Sequence, residues 1–339
     1  MSTKILITGN NGYIGSVLTK ILVERGYDIV GLDTNFYGSG YNNITQITKD
    51  IRNITKKDLK NIDSIIHLAG LSNDPLCRLN PKLTMDINYE ATVRLAKLAK
   101  ENKVKRFVFT SSQSVYGISK DNKELSEDDP KNPITPYGES KLLAEEELKK
   151  LDAFNFTTVC FRPSTVFGSS PNLRCDIVYN DLLCSGYTTK KILIRSDGTP
   201  WRPVVHIQDV CNALIAGLEA PKEIVSGESF NIGIEGRNYQ IKDLATAAKK
   251  ILPTAEIVYT GEHGPDARDY KISFSKIQKK LEGYYTPKWG LSKGGSDLLE
   301  FLKSINFNEE MYIGREFNRL RKLIYLREKD MLNEELYWK

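Results

Sequence analysis

Over residues 4–161 the chain alternates short, unbroken apolar runs with longer amphipathic stretches, and this limits its folds more than any other feature. Lys4 to Ile7, Asp28 to Leu32, Asp63 to Leu68, Arg106 to Thr110 and Thr157 to Phe161 read as strands buried on both faces. Between the first two, Ile14, Val17, Leu18, Ile21 and Leu22 recur at helical spacing, and Gly26 provides the stop. A long helix is predicted over about 82–102, with Ala91, Leu95, Leu98 and Ala99 inward, and another carries residues 137–141. Buried strands separated by helices pair in parallel, and right-handed crossovers then fix the topology. The expected fold class is α/β, a doubly wound parallel sheet with a smaller mixed C-terminal lobe.

After Pro163 the pattern becomes irregular, with short strands at 192–194, 229–232 and 256–258 among helices near 209–219, 240–251 and 292–304. The expected division is a sheet domain over 1–163, with 204–238 partly returning to it, and a second lobe from 164–203 and 239–308. Residues 309–339 read as a helical extension whose Phe317, Leu320, Leu323, Ile324 and Tyr325 form an apolar face among Arg315, Arg319, Arg321, Lys322, Arg327 and Lys329. Such a face packs on the body or on a neighbouring subunit.

Composition removes several function classes. The 339 residues are 40% hydrophobic and 27% charged, and no apolar run nears the roughly 20 residues that cross a bilayer. A strand begins within four residues of the N-terminus, so no signal peptide is expected. Five cysteines without close pairs suit free thiols in a reducing cytoplasm, and three scattered histidines do not make a metal site. A net charge of +5 is too small to argue for nucleic acid.

The first chemical signal is Gly9-Asn10-Asn11-Gly12-Tyr13-Ile14-Gly15, set between strand and helix. Glycines there let the backbone bend sharply and approach a pyrophosphate, and the helix then points free N–H groups at the anion. Asp33, ending the second strand, suits the two hydroxyls of a ribose and repels a 2′-phosphate; no Arg or Lys lies between Thr34 and Tyr41 to neutralise one. The expected cofactor is NAD. Asp50 and Ile51 are placed for the adenine edge, and Leu68-Ala69-Gly70 supplies small residues where the cofactor backbone passes.

The second signal is Tyr137-Gly138-Glu139-Ser140-Lys141, with Ser112 closing the strand upstream. Tyr137 and Lys141 share a helix face at i and i+4, and an ammonium beside a phenol lowers its pKa from about 10 toward neutrality. That makes Tyr137 an acid/base for a sugar hydroxyl, with Ser112 orienting the oxygen.

Taken together, these segments resemble the extended short-chain dehydrogenase/reductases that act on nucleotide sugars, the family of UDP-galactose 4-epimerase. The resemblance spans roughly residues 3 to 300 and includes His67-Leu68-Ala69-Gly70, Ser111-Ser112-Gln113-Ser114-Val115-Tyr116-Gly117 and Arg162-Pro163-Ser164-Thr165-Val166-Phe167-Gly168. It implies that Ser112, Tyr137 and Lys141 are catalytic, and that Tyr13, Ile14, Asn88 and Pro163 join the glycines, Tyr137 and Lys141 around NAD. It implies nucleotide-sugar contacts from Ser112, Ser114, Thr165, Arg174, Arg202 and Arg268, and a homodimer with the 82–102 helix as candidate interface. No nucleic-acid or membrane partner is implied.

Departures narrow the reaction. The family's 4,6-dehydratases carry Asp-Glu where this chain has Gln113-Ser114, the decarboxylases keep a Glu at the Ser114 position, and the GDP-fucose type needs a Cys where Gln113 stands. Thr165 replaces the usual Asn. The expected function is an NAD-dependent nucleotide-sugar 4-epimerase. A 4-ketoreductase or 4-oxidase, or a 4,6-dehydratase on the same scaffold, stays open as the alternative. A non-catalytic dinucleotide sensor would have no need of Ser112, Tyr137 and Lys141 together.

Overall fold

The structure, a computed structural model, describes residues 3–38, 40, 41, 43–72, 74, 77, 80–118, 123–261 and 270–339. Its strands are, in chain order, β1 (Lys4–Thr8), β2 (Asp28–Asp33), β3 (Thr45–Thr48), β4 (Ser64–His67), β5 (Arg106–Thr110), β6 (Glu124–Leu125) and β7 (Thr157–Pro163). There follow β8 (Thr165–Phe167), β9 (Lys191–Ile194), β10 (Trp201–His206), β11 (Glu228–Ile232), β12 (Asn238–Gln240), β13 (Glu256–Tyr259) and β14 (Lys271–Ile272). The helices that matter here are α1 (Tyr13–Glu24), α2 (Pro81–Met85), α3 (Ala91–Glu101), α4 (Pro136–Leu151) and α5 (Val178–Thr189). Beyond them lie α6 (Ile207–Glu219), α7 (Ile241–Ile251), α8 (Leu291–Ser304), α9 (Glu309–Ile313) and α10 (Arg319–Glu328).

A seven-stranded sheet in the order β11-β7-β5-β4-β1-β2-β3 dominates, and every pairing in it is parallel. Because successive side chains of a strand face opposite ways, Ile5 and Ile7 enter one core cluster and Leu6 the other. Helices α1 and α6 pack against each other in the first cluster, and α3 and α4 do so in the second. The chain leaves β1 for β2 and β3 on one side and for β4, β5, β7 and β11 on the other. A cleft therefore opens at the carboxyl ends of β1 and β4, which is where ligands bind in open parallel sheets. Behind it His67 is wholly buried, sharing hydrogen bonds with Thr8 Oγ1 (2.6 Å) and Thr92 Oγ1 (2.8 Å), and burial pushes its pKa down to about 3. It is a neutral structural residue.

The second lobe is built on β12-β10-β8 and on the pair β13-β9, with α5, α7 and α8 around them. The predicted helix over 82–102 is not uniform: α2 passes into α3 through a π-helical turn at Asp86–Glu90. The chain after residue 309 crosses from one lobe to the other. Tyr312 donates to Asp181 Oδ1 on α5 (2.7 Å), and the Phe317 carbonyl accepts from Cys175 (2.8 Å). Leu323, Leu326, Leu332 and Leu336 then join the second core cluster beside Phe36 and Ile51. Arg52 stacks on Tyr337 at 3.8 Å, and Trp338 Nε1 donates to the Thr34 carbonyl (2.7 Å).

Candidate active site

A cavity of about 1020 Å3 runs from the Gly-rich turn across the carboxyl ends of β1 and β4 into the second lobe. Pockets for one small ligand span roughly 300–1,000 Å3, so this one has room for an extended ligand or two. At its near end the glycines divide the work. A Cβ at Gly15 would lie 2.1 Å from the Gly9 carbonyl oxygen, and Gly9 combines φ +74° with backbone atoms of Ala69 2.7 Å from where its Cβ would be. Both let strand, turn and helix close on one another; all three glycines line the cavity, and Gly12 caps α1 with no side chain. The first turn of α1 is thus left to an outside acceptor, the arrangement that holds a pyrophosphate.

Asp33 is anchored by the turn itself: its Oδ2 accepts from the Asn11 amide (3.0 Å) and its Oδ1 from that of Asn35 (2.8 Å). Burial raises its pKa, and those backbone donors oppose the rise. Ile14, Leu68, Ala69, Gly70, Ile51 and Pro163 line the cavity as well. The donor set suits NAD: an uncapped helix start, a glycine cradle and a carboxylate at the end of β2.

Three positions expected at the cofactor make contacts of their own; Tyr13 and Asp50 line the cavity. Tyr13 sends its hydroxyl to the Gly168 carbonyl (2.7 Å) and receives a bond from Asn180, so its side chain braces the second lobe. Asp50 is on the wall, but its oxygens accept from Arg52 Nε (2.9 Å) and Nη2 (2.8 Å), an ion pair that occupies the carboxylate. Asn88 does not reach the cavity. Fully buried in the π turn, it accepts from the Leu71 amide (2.8 Å) and donates to the Leu71 carbonyl (3.0 Å), fixing the loop after β4.

At the far end stand Ser112, Tyr137 and Lys141. The hydroxyl of Thr135 caps α4 through the Gly138 amide (3.1 Å), and Pro136 opens the helix, which sets Tyr137 in its first turn. Ser112 and Tyr137 line the same end of the cavity. Lys141 donates to the Thr110 carbonyl (2.9 Å), with its ammonium 6.0 Å from the Tyr137 ring centre. The predicted drop of the Tyr137 pKa is not the resting state. Burial drives it up, with Ser112 and Arg174 pulling it back, while burial pushes Lys141 down to about 8.

Ser114, Thr165, Arg174 and Arg202 line the same cavity, whereas Arg268 lies outside the described residues. Arg174 is bound to Asp176 through Nε (2.9 Å) and Nη2 (3.1 Å), and its charge reaches Tyr137. Gln113 turns into the core and donates to the Arg162 carbonyl (3.2 Å). The structure adds residues that no motif announced: Asp74, whose charge also reaches Tyr137, together with Arg195, Tyr312 and Arg319. Their only sequence trace is Arg319's place among the basic residues of the extension.

Known proteins resemble this chain over most of its length. A "UDP-glucose 4-epimerase" of Lactobacillus helveticus is 28% identical over 73% of this chain and 81% of its own. A "putative UDP-glucose 4-epimerase" of Methanocaldococcus jannaschii is 28% identical over 89% and 99%. The structure of UDP-glucuronic acid 4-epimerase from Bacillus cereus, in complex with UDP-glucuronic acid and NAD, superposes with a TM-score of 0.78 at 28% identity, covering 89% of this chain and all of that one. Residues 5–233 match the model of one enzyme family, and on that match the chain belongs to the NAD dependent epimerase/dehydratase family.

Proposed function

We propose that the protein is a nucleotide-sugar 4-epimerase, oxidising C4 of the sugar transiently and reducing it on the opposite face. The observation that carries this reading is that Ser112, Tyr137 and Lys141, the last one helical turn after Tyr137 on α4, line the same cavity as Gly12 and Asp33. Bound NAD supplies the chemistry of accepting a hydride and returning it.

Tyr137 takes the proton of the C4 hydroxyl and later gives it back, and Ser112 holds the same oxygen by a hydrogen bond. A phenol held high by burial needs positive charge nearby to ionise, and Lys141 and Arg174 are the cations beside it. Arg202, with Thr165 and Ser114, lines the part of the cavity given to the nucleotide diphosphate in this proposal. Gln113 and Ser114 offer no carboxylate where the family's dehydratases have one, which favours hydride removal and return over elimination.

Relatives and a solved structure named as 4-epimerases of UDP-sugars support the same class of substrate. Asp74 supports a second reading, elimination of water, because it is a carboxylate within electrostatic reach of Tyr137. A homodimer through the outer face of α3 and α4, in the cytoplasm, completes the proposal; no helix among the described residues is long and apolar enough to cross a membrane.

The test is proton NMR of UDP-, GDP- and dTDP-hexoses incubated with the protein and no added cofactor. Conversion of one sugar to its C4 epimer is expected. A 4-keto-6-deoxy product would transfer the assignment to elimination, and no conversion anywhere in the panel would count against the reading for those sugars.

A further inference from the structure

Three of the buried arginines are held by a carboxylate. Arg162 is paired with Glu145 (2.6 Å), Arg174 with Asp176 (2.9 Å) and Arg52 with Asp50 (2.8 Å). Arg319 is just as buried, at 3% exposure, yet no carboxylate among the described residues comes within ion-pair distance of it. Its recorded hydrogen bond runs from Nη2 to the Asn172 carbonyl (2.8 Å), and its guanidinium carbon lies 4.0 Å above the Tyr37 ring. Burial lowers its pKa to about 10. A buried guanidinium with no carboxylate in contact is costly even with Asp176 and Asp33 attracting it at longer range, and one that lines a cavity has room for an anionic ligand to complete it.

Position says which anion. Asn172, the acceptor of Arg319, also donates to the Asn11 carbonyl in the Gly-rich turn (2.7 Å). Asn11 in turn donates to Asp33, whose charge and that of Arg319 attract each other. Arg319 is therefore linked through Asn172 to the turn that takes a pyrophosphate and lies within electrostatic reach of the carboxylate that takes a ribose. It is also the first residue of α10, so the positive end of that helix adds to its charge. The strap that brings it there is tied down on both sides, by Tyr312 on Asp181 and by Leu323 and Leu326 in the second core cluster.

We infer that Arg319 is a cofactor-binding residue supplied from outside the dinucleotide fold, taking the phosphate on the adenosine side of NAD. This rests on NAD as the cofactor and is independent of the sugar reaction. The consequence is a cofactor gripped by both lobes, which slows its exchange and suits a hydride returned to the sugar it came from.

The test is titration calorimetry of the full-length protein with NAD, ADP-ribose, adenosine and UDP, and no sugar enters it. In Arg319→Gln, NAD and ADP-ribose are expected to bind about ten- to a hundredfold more weakly, as for loss of one charge-assisted contact. Adenosine and UDP are expected to bind as before. Unchanged NAD affinity would overturn the inference, as would a loss for UDP alone or an equal loss for adenosine. Should Arg319→Gln not fold, Arg319→Lys, which keeps the charge without the planar fork, is expected to lose several-fold in NAD affinity, and wild-type affinity there would also overturn it.

Discussion

Lys141 keeps a charge in a position that is nearly buried, donating to the Thr110 carbonyl. Its pKa falls from 10.5 to about 8, so the sign of its effect on stability follows directly. Below about pH 8 the group is protonated in folded and unfolded chains alike, and the folded chain bears the whole cost of burying it. Between about 8 and 10.5 the unfolded chain binds more protons, so this group's contribution to stability rises with pH. Lys141→Met is therefore expected to raise the melting temperature of nucleotide-free protein at pH 7, by a margin that closes as pH approaches 10.5. Turnover should fall at least about a hundredfold in the same variant, the scale of losing an acid/base partner. A variant no more stable than wild type at pH 7, with the difference flat in pH, would show that Lys141 is structural.

Among the elements, the Gly-rich turn was the most legible, because strand, glycine spacing and helical stripe all point the same way. The π turn was not. Its apolar positions Leu83, Ile87, Ala91 and Leu95 keep helical spacing, and the extra backbone residue per turn leaves no mark in that stripe. Strand β3 was missed because it lies at the sheet edge with an exposed, polar Thr45-Gln46-Ile47-Thr48. Helix α5 was missed because Asn180, Ser185 and Gly186 on its buried side hide the apolar pattern. The π turn makes its own prediction. Asn88→Ala removes both bonds to Leu71 and strands a buried N–H and C=O, at a cost of about 2–4 kcal/mol. Urea unfolding should show that loss, and NAD affinity should drop because Gly70, whose Cβ position is 2.8 Å from Asn88 Oδ1, loses its support. Unchanged NAD affinity in a destabilised protein would separate the turn from the site.

At the scale of the whole molecule the large sheet could be read from its buried strands, since each carries its own apolar run. The second lobe could be read only in fragments. Its short strands β8, β12 and β14 are defined by pairings distant in the chain, which local composition does not encode. The proposed catalytic group could be assembled from sequence because Ser112, Tyr137 and Lys141 fall within 30 residues of one another. Arg319 was not, because 182 residues separate it from Tyr137 and only the crossing of the strap brings it to the cavity. The cavity shared by both lobes has room for a sugar nucleotide beside the cofactor, and in the proposed reaction a hydride leaves C4 and returns to it there. The direct measurement is NMR of a convertible nucleotide sugar carrying deuterium at C4, with no cofactor added. The proposed epimerase is expected to give a C4 epimer that keeps the deuterium at C4 and takes up none from solvent. Deuterium lost to water, or solvent hydrogen appearing at C3 or C5, would contradict it.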